Sequence, residues 1–195
     1  MKKTIISILC VIAMLLSLSA CVSPDVAVDA LLQKLSEYAA ASHDSYTIQI
    51  ETSNRNGGKV TEKYTVTVSD GVRNVASRVE TINPFIVDGD HIASPEEYMT
   101  VTEDSFTVSV SESNAFSLPS FQFSGATLSN VKWDEEVFPY VLTADVSSPS
   151  AFMGQDVSGS NVKLTVEYVV GSLYSLELSY KTESGNTVNV TYTFG

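Results

Sequence analysis

The chain has 195 residues, enough for one domain with a sizeable core. It is 44% hydrophobic and 17% charged, and 23 acidic residues against 11 basic ones give a net charge of −12. A surface so acidic repels phosphate backbones, which excludes nucleic acid as a partner class.

Met1-Lys2-Lys3 is a short positive start, and Ile5 to Leu16 is a nearly unbroken apolar run. The small residues Ser17, Ser19 and Ala20 follow. This is the three-part pattern of a secretory signal peptide, and the run is shorter than the roughly 20 residues a membrane-spanning helix needs. Leu18-Ser19-Ala20-Cys21 resembles the lipobox of bacterial lipoproteins. The resemblance implies that residues 1–20 are removed and that Cys21 becomes the first residue of a mature domain, 21–195. It also implies a diacylglycerol on the Cys21 sulfur, anchoring the domain on the extracytoplasmic face of the cell membrane, or at the outer membrane where the host has one. Two acyl chains are what stable anchoring requires. Val22 follows the cysteine, so the aspartate that retains enterobacterial lipoproteins at the inner membrane is absent. Removing Lys2 and Lys3 leaves nine basic residues against 23 acidic, a net charge of −14, so the anchor is hydrophobic rather than electrostatic. Cys10 leaves with the leader. Cys21 is then the one remaining cysteine, and no intrachain disulfide can form.

Ser23, Pro24 and Asp25 read as a helix start. Val28, Leu31, Leu32, Leu35, Tyr38 and Ala39 recur on one helical face, which predicts a helix over 25–41. So short a link to Cys21 would hold the domain within roughly 10–15 Å of the lipid surface. His43 falls just past the helix end, where a cation is favoured.

From Ser45 the period becomes two. Tyr46, Ile48 and Ile50 alternate with polar residues, and Asn54 to Gly58 is a turn. Val60, Tyr64, Val66 and Val68 share a face, Asp70-Gly71 turns, and Val72 to Ile82 is a weaker strand. Phe85 to Ile92 reads as a tight hairpin about Asp88-Gly89-Asp90, and Glu97 to Thr102 with Ser105 to Ser111 as another. Ala115 to Trp133 carries Phe116, Leu118, Phe121, Phe123 and Trp133 among Ser, Gly and Pro. It reads either as an irregular crossover packed on the core or as an apolar flap over a cavity mouth. A short helix is expected near Ser148 to Gln155, with Ser148 as its cap. Three strands then close the chain. They alternate through Val162 to Tyr168, through Tyr174, Leu176, Leu178 and Tyr180, and through Val188 to Phe194.

The expected fold is mostly β, in the α+β class: one large curved antiparallel sheet of about ten strands, a half-barrel, with the N-terminal amphipathic helix on its apolar face. This order of leading helix, hairpins and closing meander resembles the periplasmic lipoprotein carrier and its outer-membrane lipoprotein acceptor. The "FIVDGDHI" hairpin at Phe85 to Ile92 and the ending Tyr192-Thr193-Phe194 are part of that order. No position matches the carrier's functional arginine, since Arg55 falls in a turn and Arg73 and Arg78 on one strand. The resemblance implies an apolar ligand held between sheet and helix.

No catalytic constellation stands out: there is no nucleophile elbow, no phosphate loop and no paired histidines. The expectation is therefore a non-enzymatic domain without a cofactor. Asp88 and Asp90 suit a turn, and Asp134, Glu135 and Glu136 suit an exposed loop, so no metal site is expected. The chain is read as a membrane-anchored binding module for a lipid or other hydrophobic ligand. Its cavity would be lined by Leu31, Leu35, Tyr64, Val66, Phe121, Phe123, Leu176 and Tyr192. The alternative is a structural or protein-interaction component of the cell envelope with a solid core and a free strand edge.

Overall fold

The computed structural model describes residues 24–55, 57–83, 87–88, 91–92, 99–111 and 114–195. The leader, Cys21, Phe85-Ile86 and the turn Gly89-Asp90 lie outside them. Helix α1 (Pro24–Ala39) leads into strands β1 (Ser45–Ser53), β2 (Lys59–Ser69) and β3 (Val72–Ile82). The two-residue strands β4 (Val87–Asp88) and β5 (His91–Ile92) pair only with each other. Strand β6 (Met99–Ser109) comes next, then β7 (Leu128–Asp134), β8 (Tyr140–Val146) and the short helix α2 (Pro149–Met153). Strands β9 (Ser160–Val169), β10 (Ser172–Lys181) and β11 (Thr187–Phe194) complete the chain.

All the long strands form one antiparallel sheet in the order β6-β3-β2-β1-β11-β10-β9-β8-β7. It has nine strands among the described residues, where the alternation suggested about ten: the β4–β5 hairpin stays apart, β6 replaces two expected strands, and β7 and β8 are strands that the alternation did not mark. β6 and β7 are its two edges and do not pair, so the sheet is open. Two hairpin-rich halves meet where β1 pairs with β11, Tyr46 opposite Phe194 and Thr52 opposite Val188.

Local chemistry explains the tight register of the first half. Ser69 and Val72 pair directly across Asp70-Gly71, whose φ values are 50° and 77°. Two successive left-handed residues make the turn whose twist matches a two-residue hairpin, and Gly accepts that conformation freely.

Three sequence expectations are corrected. The hairpin expected over 97–111 is, over the described residues Met99–Ser109, a single strand, β6, running unbroken opposite β3. Glu103-Asp104 looked like a turn, yet Glu103 sits opposite Arg78 and its carboxylate meets the guanidinium at 2.5 Å. Tyr174 was placed with Leu176 and Leu178, but a bulge between Leu173 and Ser175 shifts the register. One inserted residue reverses the faces: Leu173 is buried and Tyr174 is 53% exposed. Ser148 makes no side-chain cap on α2.

The core lies on one side of the sheet. β9 and β11 bury every second residue, Val162, Leu164, Val166 and Tyr168 on one and Val188, Val190, Tyr192 and Phe194 on the other. α1 buries Leu32 and Leu35 in the same cluster, and the Ser36 hydroxyl lies 3.2 Å from the Phe123 carbonyl oxygen. The crossover after β6 packs on that core rather than standing free. Phe121 and Phe123 are buried, the Tyr46 hydroxyl donates to the Phe116 carbonyl at 2.5 Å, and the Gln122 amide donates to the Phe152 carbonyl at 2.8 Å. Its last part, which also reads as irregular in the sequence, is strand β7. His43 lies beyond the end of α1 at Ala39, and its ring lies against Phe194, centroids 4.7 Å apart. Among the described residues no helix is long and apolar enough to cross a membrane.

Candidate functional site

The eight residues expected to line a cavity all join one apolar cluster. Leu35, Val66 and Leu176 are fully buried, Phe121, Phe123 and Tyr192 nearly so, and Leu31 and Tyr64 pack partly buried against them. They are brought together, but mostly as packing. Phe121 meets Tyr192 edge-on at 5.2 Å, Phe123 meets Phe152 at 5.3 Å, and Tyr64 meets Phe116 at 5.1 Å. Such edge-to-face contacts fill space as closely as an organic crystal does.

One of the eight, Tyr192, lines a pocket that remains open. Its volume is about 410 Å³, within the range of small-molecule sites. The sheet supplies one wall, Ile48 and Ile50 from β1, Val190 and Tyr192 from β11, and Leu178 and Tyr180 from β10. The opposite wall is Met153 and the segment Gln155 to Ser158, with Ala115 and Ser117 at its margin. α2 ends at Gly154, whose φ of 65° turns the chain back so that residues 155–158 lie along the sheet. The Val157 amide donates to the Ser150 hydroxyl at 3.1 Å and fixes that return. Gly159 lets the backbone press against Tyr180, since a Cβ there would sit 2.5 Å from the ring.

Most of the sheet wall was legible as the alternating faces of β1, β10 and β11, although the expected set included only Tyr192 from it. Met153 and Val157 carry no periodic signal, because their place depends on how α2 ends.

Two other hollows are less suited to an apolar ligand. One, about 560 Å³, lies on the wet face between β7, β8 and β9. There Asp145 accepts from Lys163 and, at 2.7 Å, from the Asn130 amide; these two contacts hold its carboxyl below the usual range. A third, about 350 Å³, is a dip among Thr65, Thr67, Asn74 and Phe106. Among the described residues no three His, Cys, Asp or Glu side chains converge as a metal site. Asp134 instead accepts the Glu136 amide at 2.8 Å, an ordinary turn contact.

Buried tyrosines dominate the electrostatics. Burial, then Tyr180, pushes the Tyr192 hydroxyl up to about 12. Burial, then Glu135, does the same for Tyr168, and burial, then Glu62, for Tyr64. Tyr168 Oη is buried without a partner, a cost of about 1–3 kcal/mol. The raised values favour the protonated, folded form. Their contribution to stability is complete below pH 10, where unfolded tyrosines are also protonated. It is lost as pH climbs from about 10 to 12. Burial also raises Tyr46 and Tyr180, so spectrophotometric titration at 295 nm should show five late-ionising tyrosines whose ionisation coincides with loss of the β-sheet signal in circular dichroism.

No family model and no curated protein matches the chain. Among solved structures, it is similar to a de novo designed fluorescence-activating β-barrel, at 6% identity, over 76% of this chain and 91% of that one, with a TM-score of 0.21.

Proposed function

We propose that the chain is an exported, non-catalytic envelope domain, lipid-anchored through Cys21, that binds a lipid or other hydrophobic ligand. The observation that carries this reading is the pocket beside Tyr192. Apolar side chains of β1, β10 and β11 form its inner wall, and a segment outside the sheet covers it. About 410 Å³ suits one acyl chain rather than several. The half-barrel architecture of the lipoprotein carrier and acceptor belongs to the same proposal. Its support is the open sheet and the burial of Leu32 and Leu35 of α1 in the core.

The site is tested with a fluorescent acyl probe on the wild-type chain and on Val157→Trp. Val157 lies on the covering segment, so a larger side chain there fills the pocket without entering the sheet. Wild type should bind one probe per chain, and Val157→Trp should bind at least about tenfold more weakly, the effect of about 1.4 kcal/mol. Equal binding by the two proteins would remove the pocket from consideration.

A second reading, an interaction component of the envelope, has its own support. Six of the eight expected cavity residues are buried. Near the β7 edge, Trp133, Val137 and Phe138 are exposed, Phe138 at 80%. A filled core and an unpaired edge strand suit partner docking by strand addition.

A further inference from the structure

The pocket's polar groups are unequal. Tyr192 is 5% exposed and lines it, and its hydroxyl has no hydrogen-bond partner among the described residues. Tyr180, also in the lining, is likewise unpartnered and close enough to Tyr192 to raise its ionisation. Two tyrosine hydroxyls of the sheet wall thus have no protein acceptor, while Ser117, Gln155, Asp156 and Ser158 stand on the outer wall and margin. Once an apolar chain displaces water from the pocket, such a donor is costly unless the chain brings an acceptor. At the mouth stands Asp156, exposed, and it is the one charged residue in the lining. No lysine or arginine lines the pocket.

We infer that this pocket selects an apolar chain bearing an uncharged hydrogen-bond acceptor, such as an acyl ester, and rejects a free carboxylate. The inference rests on the ligand reading above and adds the class of ligand. An ester carbonyl accepts from Tyr192 without bringing charge into the apolar interior. A carboxylate would bring a charge with no cation to meet it, past Asp156 at the entrance and into a domain that is acidic throughout. Tyr192 is a dependable donor because its hydroxyl stays protonated at neutral pH.

The test uses the full-length lipidated protein in phosphatidylcholine nanodiscs. Two photoactivatable probes carry the same diazirine-bearing acyl chain, one as a monoacylglycerol and one as the free acid, at a pH where the acid is ionised. After illumination, labelling is mapped by peptide mass spectrometry. The monoacylglycerol should label the segment Met153 to Ser158 about tenfold more than the acid. Tyr192→Phe should lower monoacylglycerol labelling about fivefold, with folding checked by circular dichroism, as one hydrogen bond predicts. Asp156→Asn, an exposed change that leaves the core untouched, should raise labelling by the acid severalfold. Equal labelling by the two probes, or labelling unmoved by both substitutions, overturns the ester selectivity while leaving the pocket reading intact. Absence of labelling by either probe overturns both.

Discussion

Leu176→Ala is expected to destabilise the domain by about 3 kcal/mol, within the 2–5 kcal/mol typical of fully buried leucines. Leu176 is completely buried on β10, opposite Val166 of β9 and Tyr192 of β11. Both neighbours lie in hydrogen-bonded strands on either side of β10, so the backbone cannot collapse into the space left by the side chain. The lost transfer energy is therefore joined by a cavity term. For a domain of this size the melting temperature should fall by roughly 6–12 °C. Differential scanning calorimetry of the variant measures it. A change below about 1 kcal/mol would mean that the sheet interior is loosely packed, contrary to the contacts around Phe121, Phe123 and Phe152.

Cys21→Ser is expected to have the largest effect on location. On the proposed reading a diacylglycerol would contribute two acyl chains, and about 0.8 kcal/mol per buried methylene makes such an anchor stable. A net charge of −12 over the whole chain provides no attraction to anionic headgroups as a substitute. Cell fractionation should find the wild type in the membrane, extractable only with detergent. The variant should lose the mass of the diacylglycerol on intact-protein mass spectrometry, whatever becomes of its leader. Thermal unfolding should be unchanged, because the described core is closed by the apolar side chains of Leu32 to Phe194. A wild-type protein found without lipid would contradict the lipobox reading.

The legibility of this fold in its sequence follows the burial of its strands. β9 and β11 have one wet and one dry face, so their side chains alternate and their bounds can be read closely. β6 is an edge strand whose residues Met99 to Ser105 are all exposed, so no alternation marks it. Its identity comes from the backbone ladder with β3 and the Arg78–Glu103 pair, which a local pattern cannot reveal. The bulge at Leu173 to Ser175 was hidden for a related reason. Both Leu173 and Tyr174 are acceptable on an apolar face, and only pairing with β9 decides between them. At the candidate site, Phe121 and Phe123 were recognisable as apolar residues of the interior, but not as fillers rather than lining. Val157 was invisible, because the left-handed Gly154 positions it and no periodicity does.

Native mass spectrometry of the chain from Val22 onward, expressed without its leader and hence without attached lipid, tests the central claim most directly. The ligand-binding account predicts a species heavier than the bare chain by one lipid, lost in Val157→Trp. A bare mass from several expression hosts, with and without added monoacylglycerol, would contradict it and leave the closely packed interaction domain as the better description.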